Sequence, residues 1–110
     1  MPRFFVTGNY SASAMKAMIE SPSDRGAVAQ AVVEAAGGTL EAYYVTTGDS
    51  DFAIIVTIDK PEDLIAGLLA TGASGAVSNL STSRAFTSEE FTAMQKRAGE
   101  LARAYAPPGS

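Results

Sequence analysis

Residues Thr46–Asp63 read TTGDSDFAIIVTIDKPED, a glycine turn holding two acids that leads into an unbroken apolar run. Gly48 to Asp51 collects residue types that tolerate left-handed backbone angles and bond nearby amides, so it predicts a tight turn. Phe52 to Ile58 after it and Leu40 to Thr47 before it are rich in β-favouring residues, and the three pieces make a hairpin. Within the second strand Phe52, Ile54, Val56 and Ile58 share one face, while Ala53, Ile55 and Thr57 share the other. Apolar side chains on both faces place this strand in the middle of a sheet.

Downstream, Asp59-Lys60-Pro61-Glu62 reads as a helix start with Asp59 as cap and Glu62 three residues later. Leu64, Ile65, Leu68 and Leu69 carry that helix to Gly72. Ala76 to Phe86 predicts a fourth strand, made polar by Ser78, Asn79, Ser81 and Ser83 and therefore suited to a sheet edge. Thr87 to Glu90 forms a capping box. Phe91, Met94, Ala98, Leu101 and Tyr105 then lie on one stripe up to Pro107-Pro108, predicting a terminal helix packed against something.

Upstream, Arg3 to Tyr10 reads as the first strand. From Ser11 the composition turns helical, with Met15, Met18 and Ile19 as apolar anchors, until Ser21-Pro22 interrupts it. A second helix is expected to start there, with Ser21 as cap, Pro22 at the first helical position and Asp24 in the first turn. Val28, Ala31, Val32 and Ala35 share one face, and Gly37-Gly38 ends the helix.

The order β-α-β-β-α-β plus a terminal helix predicts an α+β, ferredoxin-like antiparallel sheet with helices on one face. Strands one and three are central; strands two and four are edges. We expect one domain over residues 1–106 and a short tail over 107–110. Helices on one side leave the opposite face, including Ala53, Ile55 and Thr57, uncovered, so a sheet-packed homo-oligomer is the simplest completion.

A chain of 110 residues with 46% hydrophobic content suffices for one core. Net charge is −4 and no Lys/Arg cluster is present, which argues against nucleic acid as a partner. Cysteine and histidine are both absent, removing disulfides, thiolate nucleophiles, Cys/His zinc sites and histidine general bases. No cofactor is expected. No apolar run reaches spanning length and the start lacks signal-peptide features, so a cytoplasmic protein without a membrane partner is expected.

The pieces NYS, ESPSDR, AAGGTLEAYYVTTGDSDFAIIV, DKPED and SRAFTSEEF together resemble the GYD-domain family of small bacterial proteins, from about Phe5 to Phe91. The resemblance implies a ferredoxin-like homo-oligomer akin to dimeric α/β-barrel proteins, with a poorly defined role. In register with the namesake Gly-Tyr-Asp, Asp51 matches and Ser50 replaces the tyrosine. The later segment keeps Val77 and Arg84, with Ser78 at the intervening basic position.

Asp49 and Asp51 read first as turn formers; the sharper alternative is a carboxylate pair for acid-base work or a hard cation. Lys16 follows strand one and Arg84 ends strand four, an arrangement that would bind an anion if the two converge, against the alternative of ordinary exposed charges. Tyr10, Tyr43 and Tyr44 are candidate pocket residues, each offering a ring and a hydroxyl. Tyr43 and Tyr44 face opposite ways, and Tyr44 is taken as the ligand-facing member. The expected contacts of a small organic ligand are thus Asn9, Lys16, Tyr44, Asp51 and Arg84. The leading reading is a non-catalytic, homo-oligomeric binding or regulatory module. A cofactor-independent proton-transfer enzyme and a structural or partner-binding subunit are the alternatives.

Overall fold

A computed structural model describes residues 1–109; the expected tail over 107–110 therefore lies outside the described residues at position 110. The elements run β1 (Arg3–Tyr10), α1 (Ala12–Glu20), α2 (Arg25–Ala35), β2 (Thr39–Val45), β3 (Phe52–Thr57), α3 (Pro61–Ala73), β4 (Val77–Ala85) and α4 (Ser88–Ala102). The four strands form one antiparallel sheet in the order β2-β3-β1-β4. The fold is the ferredoxin-like α+β arrangement, with the two most apolar strands central.

Alternation along β1 and β3 gives the sheet two unlike sides. Phe4, Val6, Phe52, Ile54, Val56 and Ile58 are buried on the inner side, where Val33 of α2 and Leu64 of α3 complete the core. On the outer side, cross-strand rows run Tyr44–Ala53–Thr7–Ser81 and Ala42–Ile55–Phe5–Ser83. None of the described elements covers these rows, and Phe5 is 48% exposed.

Two helix starts differ from the sequence reading, the α3 start because of its proline. A proline holds the residue before it in extended conformation and itself fits the first helical position. Pro61 therefore opens α3, and extended Lys60 takes the cap position expected for Asp59, with no side-chain capping bond. Ser21, before Pro22, does not cap α2. Instead it closes α1, its N–H donating to the Ala17 carbonyl at 2.8 Å. Asp24 caps α2 by accepting from the Ala27 N–H at 3.3 Å. Gly37, with φ of 87°, ends α2 as expected.

The Thr87–Glu90 capping box forms as read, but α4 packs on no other element to any extent and every one of its residues is exposed. A radius of gyration of 18.2 Å and a long axis of 63 Å exceed the roughly 13 Å radius of a compact chain of this length. The helix projects from the sheet. Its stripe, with Phe91 at 58% and Leu101 at 53% exposure, finds no partner among the described residues, and Tyr105, expected on the stripe, lies beyond the helix end at Ala102.

Candidate functional site

The inner face carries a cavity of about 100 Å³ between the sheet and helices α2 and α3, lined almost wholly by apolar side chains. Three local features shape it. First, β4 breaks its alternation opposite the Thr7–Asn9 step of β1, where Asn79 adopts a left-handed φ of 52°. Asparagine tolerates that region better than most residues, and the added residue resets the phase. Val77 and Leu80, three apart in sequence, then both line the cavity.

Second, Gly8 leaves room for neighbouring rings. A Cβ there would sit 2.6 Å from Cζ of Phe52 and 2.9 Å from a Leu80 methyl. Third, the space so gained holds an aromatic cluster: Phe52 stacks on Tyr43 with centroids 6.1 Å apart and tilts against Tyr10 at 5.2 Å. The hydroxyls of Tyr10 and Tyr43 meet in a hydrogen bond.

At the mouth stands Arg25, the first residue of α2, half-buried and without an ion-pair partner among the described residues. A wider groove of about 610 Å³ shares Tyr10, Arg25, Val28, Val32, Thr71 and Val77 with the cavity and is roofed by Ala14, Ala17 and Met18 of α1. Burial, with the Tyr10 hydrogen bond adding to it, pushes the Tyr43 hydroxyl well above the ordinary tyrosine range, against the pull of nearby Arg25. Tyr43 is therefore protonated at neutral pH and available as a donor or acceptor, not as a base.

The residues expected from sequence fall into separate places. Asn9 and Asp51 come together, but as a clasp. Asp51 accepts from the Tyr10 N–H at 2.9 Å and donates its own N–H to Gly8 at 2.8 Å, while Asn9 donates to the Asp49 carbonyl at 3.0 Å. Asp49 contributes a main-chain oxygen to this corner, in keeping with a turn. Tyr44 stands on the uncovered outer face, 63% exposed, and Tyr43 enters the cavity. Lys16 is exposed on α1 beyond the end of β1. Arg84 pairs across from Phe4 near the start of β1 and lies 4.8 Å over the Phe86 ring. Antiparallel pairing thus sets Lys16 and Arg84 at opposite ends of β1, and they do not converge.

Arg25 is the residue that sequence reading passed over. One signal was present: a cation at the first position of a helix opposes the helix dipole, so its place there asks for another partner.

A family model described as the GYD domain matches residues 4–94. The chain belongs to the GYD-domain family. The match takes in the sheet from Phe4 onward, α1 to α3 and the first half of α4. No curated protein sequence matches the chain. Among solved structures, TTHA0845 from Thermus thermophilus is similar at 18% identity with a TM-score of 0.51, covering 80% of this chain and 96% of that one. MtbAldR is similar at 15% identity with a TM-score of 0.52, covering 78% of this chain and 52% of that one. At such identities the likeness is one of fold. Among the described residues, no three His, Cys, Asp or Glu side chains gather as a metal group, and no helix is long and apolar enough to cross a membrane.

Proposed function

We propose that this GYD domain is a non-catalytic, homo-oligomeric module that holds a small organic molecule between the sheet and α2/α3. The observation that carries the reading is the apolar cavity opening past the Tyr10–Tyr43 pair and Arg25 into the α1-roofed groove. Small-molecule sites have this composition: mostly apolar walls with a few convergent polar groups. Proton-transfer catalysis is the weaker reading, because a general base should titrate near the working pH and burial moves Tyr43 away from it.

In this reading the clasp of Asn9 and Asp51 fixes the end of β1 that carries Tyr10. Lys16 flanks the roofed groove. Tyr44 and Arg84 serve the assembly, Tyr44 through the outer rows and Arg84 beside Arg3 and Glu90 at the base of α4. Self-association rests on the uncovered outer face and the unpartnered α4 stripe. A cytoplasmic setting suits a chain without cysteine.

Thermal-shift screening of the purified protein against metabolite classes, with native mass spectrometry for carried-over ligand and stoichiometry, tests both parts. A stabilising class and a mass of two or more chains are expected. No bound species, no stabilising class and a monomer would sink the proposal.

A further inference from the structure

Resting on that reading, we propose that the ligand is a monocarboxylate with a compact branched apolar tail, its carboxylate held at Arg25 and the Tyr10–Tyr43 pair. Charge selects the headgroup. Among the described residues, Arg25 is the only charged side chain lining either the cavity or the groove. The residue is half-buried and has no ion-pair partner among the same residues. A guanidinium in partly apolar surroundings is best matched by a carboxylate accepting two parallel N–H bonds.

The tyrosine pair adds to the same preference. Two hydroxyls that bond each other use one proton between them, leaving the second O–H free to donate. The polar end of the site thus presents a cation and a spare donor to one anionic group. A phosphate monoester would bring up to two charges and more acceptors than this end can serve. An ammonium group would find no acid, since neither lining set contains Asp or Glu; Asp24, nearest in sequence, is committed to capping α2. The same lack of an acid disfavours zwitterionic amino acids.

Volume and shape select the tail. An apolar cavity of about 150 Å³ admits benzene, so the 100 Å³ here suits a smaller group, a branched alkyl of about four carbons. Its walls, Val6, Val33, Ile54, Ile58, Leu64 and Leu68, offer only hydrocarbon to such a group.

The test uses three compounds of one shape, 3-methylbutanoate, 3-methylbutanol and 3-methylbutylamine, titrated into the full chain by calorimetry with chemical-shift mapping of the cavity. The carboxylate is expected to bind at least about tenfold more tightly than the alcohol, the amine weakest, given the strength of a charge-assisted hydrogen bond. Arg25→Gln should erase the advantage of the carboxylate and affect alcohol binding far less. Tyr10→Phe with Tyr43→Phe, which keeps the ring packing and removes the spare donor, should weaken the carboxylate by a smaller factor, more than it weakens the alcohol, and serves if Arg25→Gln loses the fold. Equal binding of carboxylate and alcohol, or an equal effect of the substitutions on both, overturns the carboxylate assignment while leaving a binding module. Failure of all three compounds to perturb the cavity overturns the ligand assignment, and the binding module itself falls only if the metabolite screen also finds no stabilising class.

Discussion

The two faces of the sheet come from the same strands and end in opposite states. Inward, Phe4, Val6, Ile54 and Val56 are closed over by Val33 and Leu64; outward, Phe5, Ile55 and Tyr44 stand in rows that none of the described elements covers. Strand periodicity sorts residues onto faces but says nothing of what each face will meet. The inner face needed only α2 and α3, whose apolar stripes the same chain supplies. The outer face and the projecting α4 stripe are both left over, and in the proposed reading a second copy covers them.

Matched substitutions on adjacent residues of β3 separate the two faces most sharply. Val56 is fully buried, and an unpaired carboxylate there has no partner and no water, so Val56→Asp is expected to abolish folding. Ile55→Asp, one residue away on the outer face, is expected to leave circular dichroism and monomer stability nearly intact while dispersing the oligomer in sedimentation experiments. If Ile55→Asp unfolds the chain, the outer face belongs to the monomer's own core and the contrast collapses.

A smaller effect is expected where the inner face is tightest. Gly8→Ala puts a methyl against Phe52 and Leu80, and overpacking of this kind costs about 1–3 kcal/mol. Because Phe52 rests on Tyr10 and Tyr43, ligand binding should fall along with stability. Outer-face assembly should not change. Chemical denaturation together with a thermal-shift titration reads both, and unchanged stability would show that the rings have room the geometry denies them.

Much of this was legible in the sequence, and the exceptions have physical causes. Alternation in FAIIVTI and the turn at Gly48–Asp51 fixed the hairpin, the central strands and the inner set of core residues, because burial on one face enforces register. The capping box at Thr87 was legible because it is local. Asp59 was misplaced as a cap because Pro61 at the first helical position makes its extended predecessor Lys60 the cap, and Ser21 because α2 begins only at Arg25, under the Asp24 cap. Tyr43 and Tyr44 were seen to face opposite ways; that Tyr43 is the inward one depends on the register shift between Leu40 and Ala42 in β2, which sets Tyr43 opposite inward-facing Ile54 and which no periodicity announces. The place of Arg25 at the cavity mouth is a tertiary fact, whereas the separation of Lys16 from Arg84 already follows from the predicted antiparallel sheet, in which the end of β4 lies beside the start of β1.

Titration distinguishes the inner site from the surface at high pH. Burial raises the Tyr43 pKa, so the folded state holds that proton more tightly than the unfolded chain, whose tyrosines titrate near pH 10. The sign follows from linkage: the contribution is whole below about pH 10 and is lost as pH rises above it. Wild-type protein should lose stability with a steeper alkaline slope than Tyr43→Phe. Equal slopes would mean that the hydroxyl is as well hydrated folded as unfolded.

The smallest effect on global stability belongs to the outlying helix. Thr87 and Glu90 satisfy each other's main chains, with Glu90 accepting from the Thr87 N–H at 2.7 Å and its own N–H donating to the Thr87 hydroxyl at 3.1 Å. Those bonds, helped by nearby Arg3, hold the Glu90 carboxyl below the ordinary glutamate range. A lowered pKa stabilises above the unfolded value near 4.5 and ceases to do so as pH falls through the folded one. Removing a capping hydroxyl costs a helix about 0.5–2 kcal/mol, yet α4 shares little packing with the rest of the chain. Thr87→Ala, or acid, should therefore raise amide exchange in the first turn of α4 while leaving the monomer's denaturation midpoint unmoved. If self-association covers the α4 stripe, the same substitution weakens the oligomer, because a frayed helix must be ordered again on assembly. A lowered monomer midpoint would instead place α4 against its own sheet.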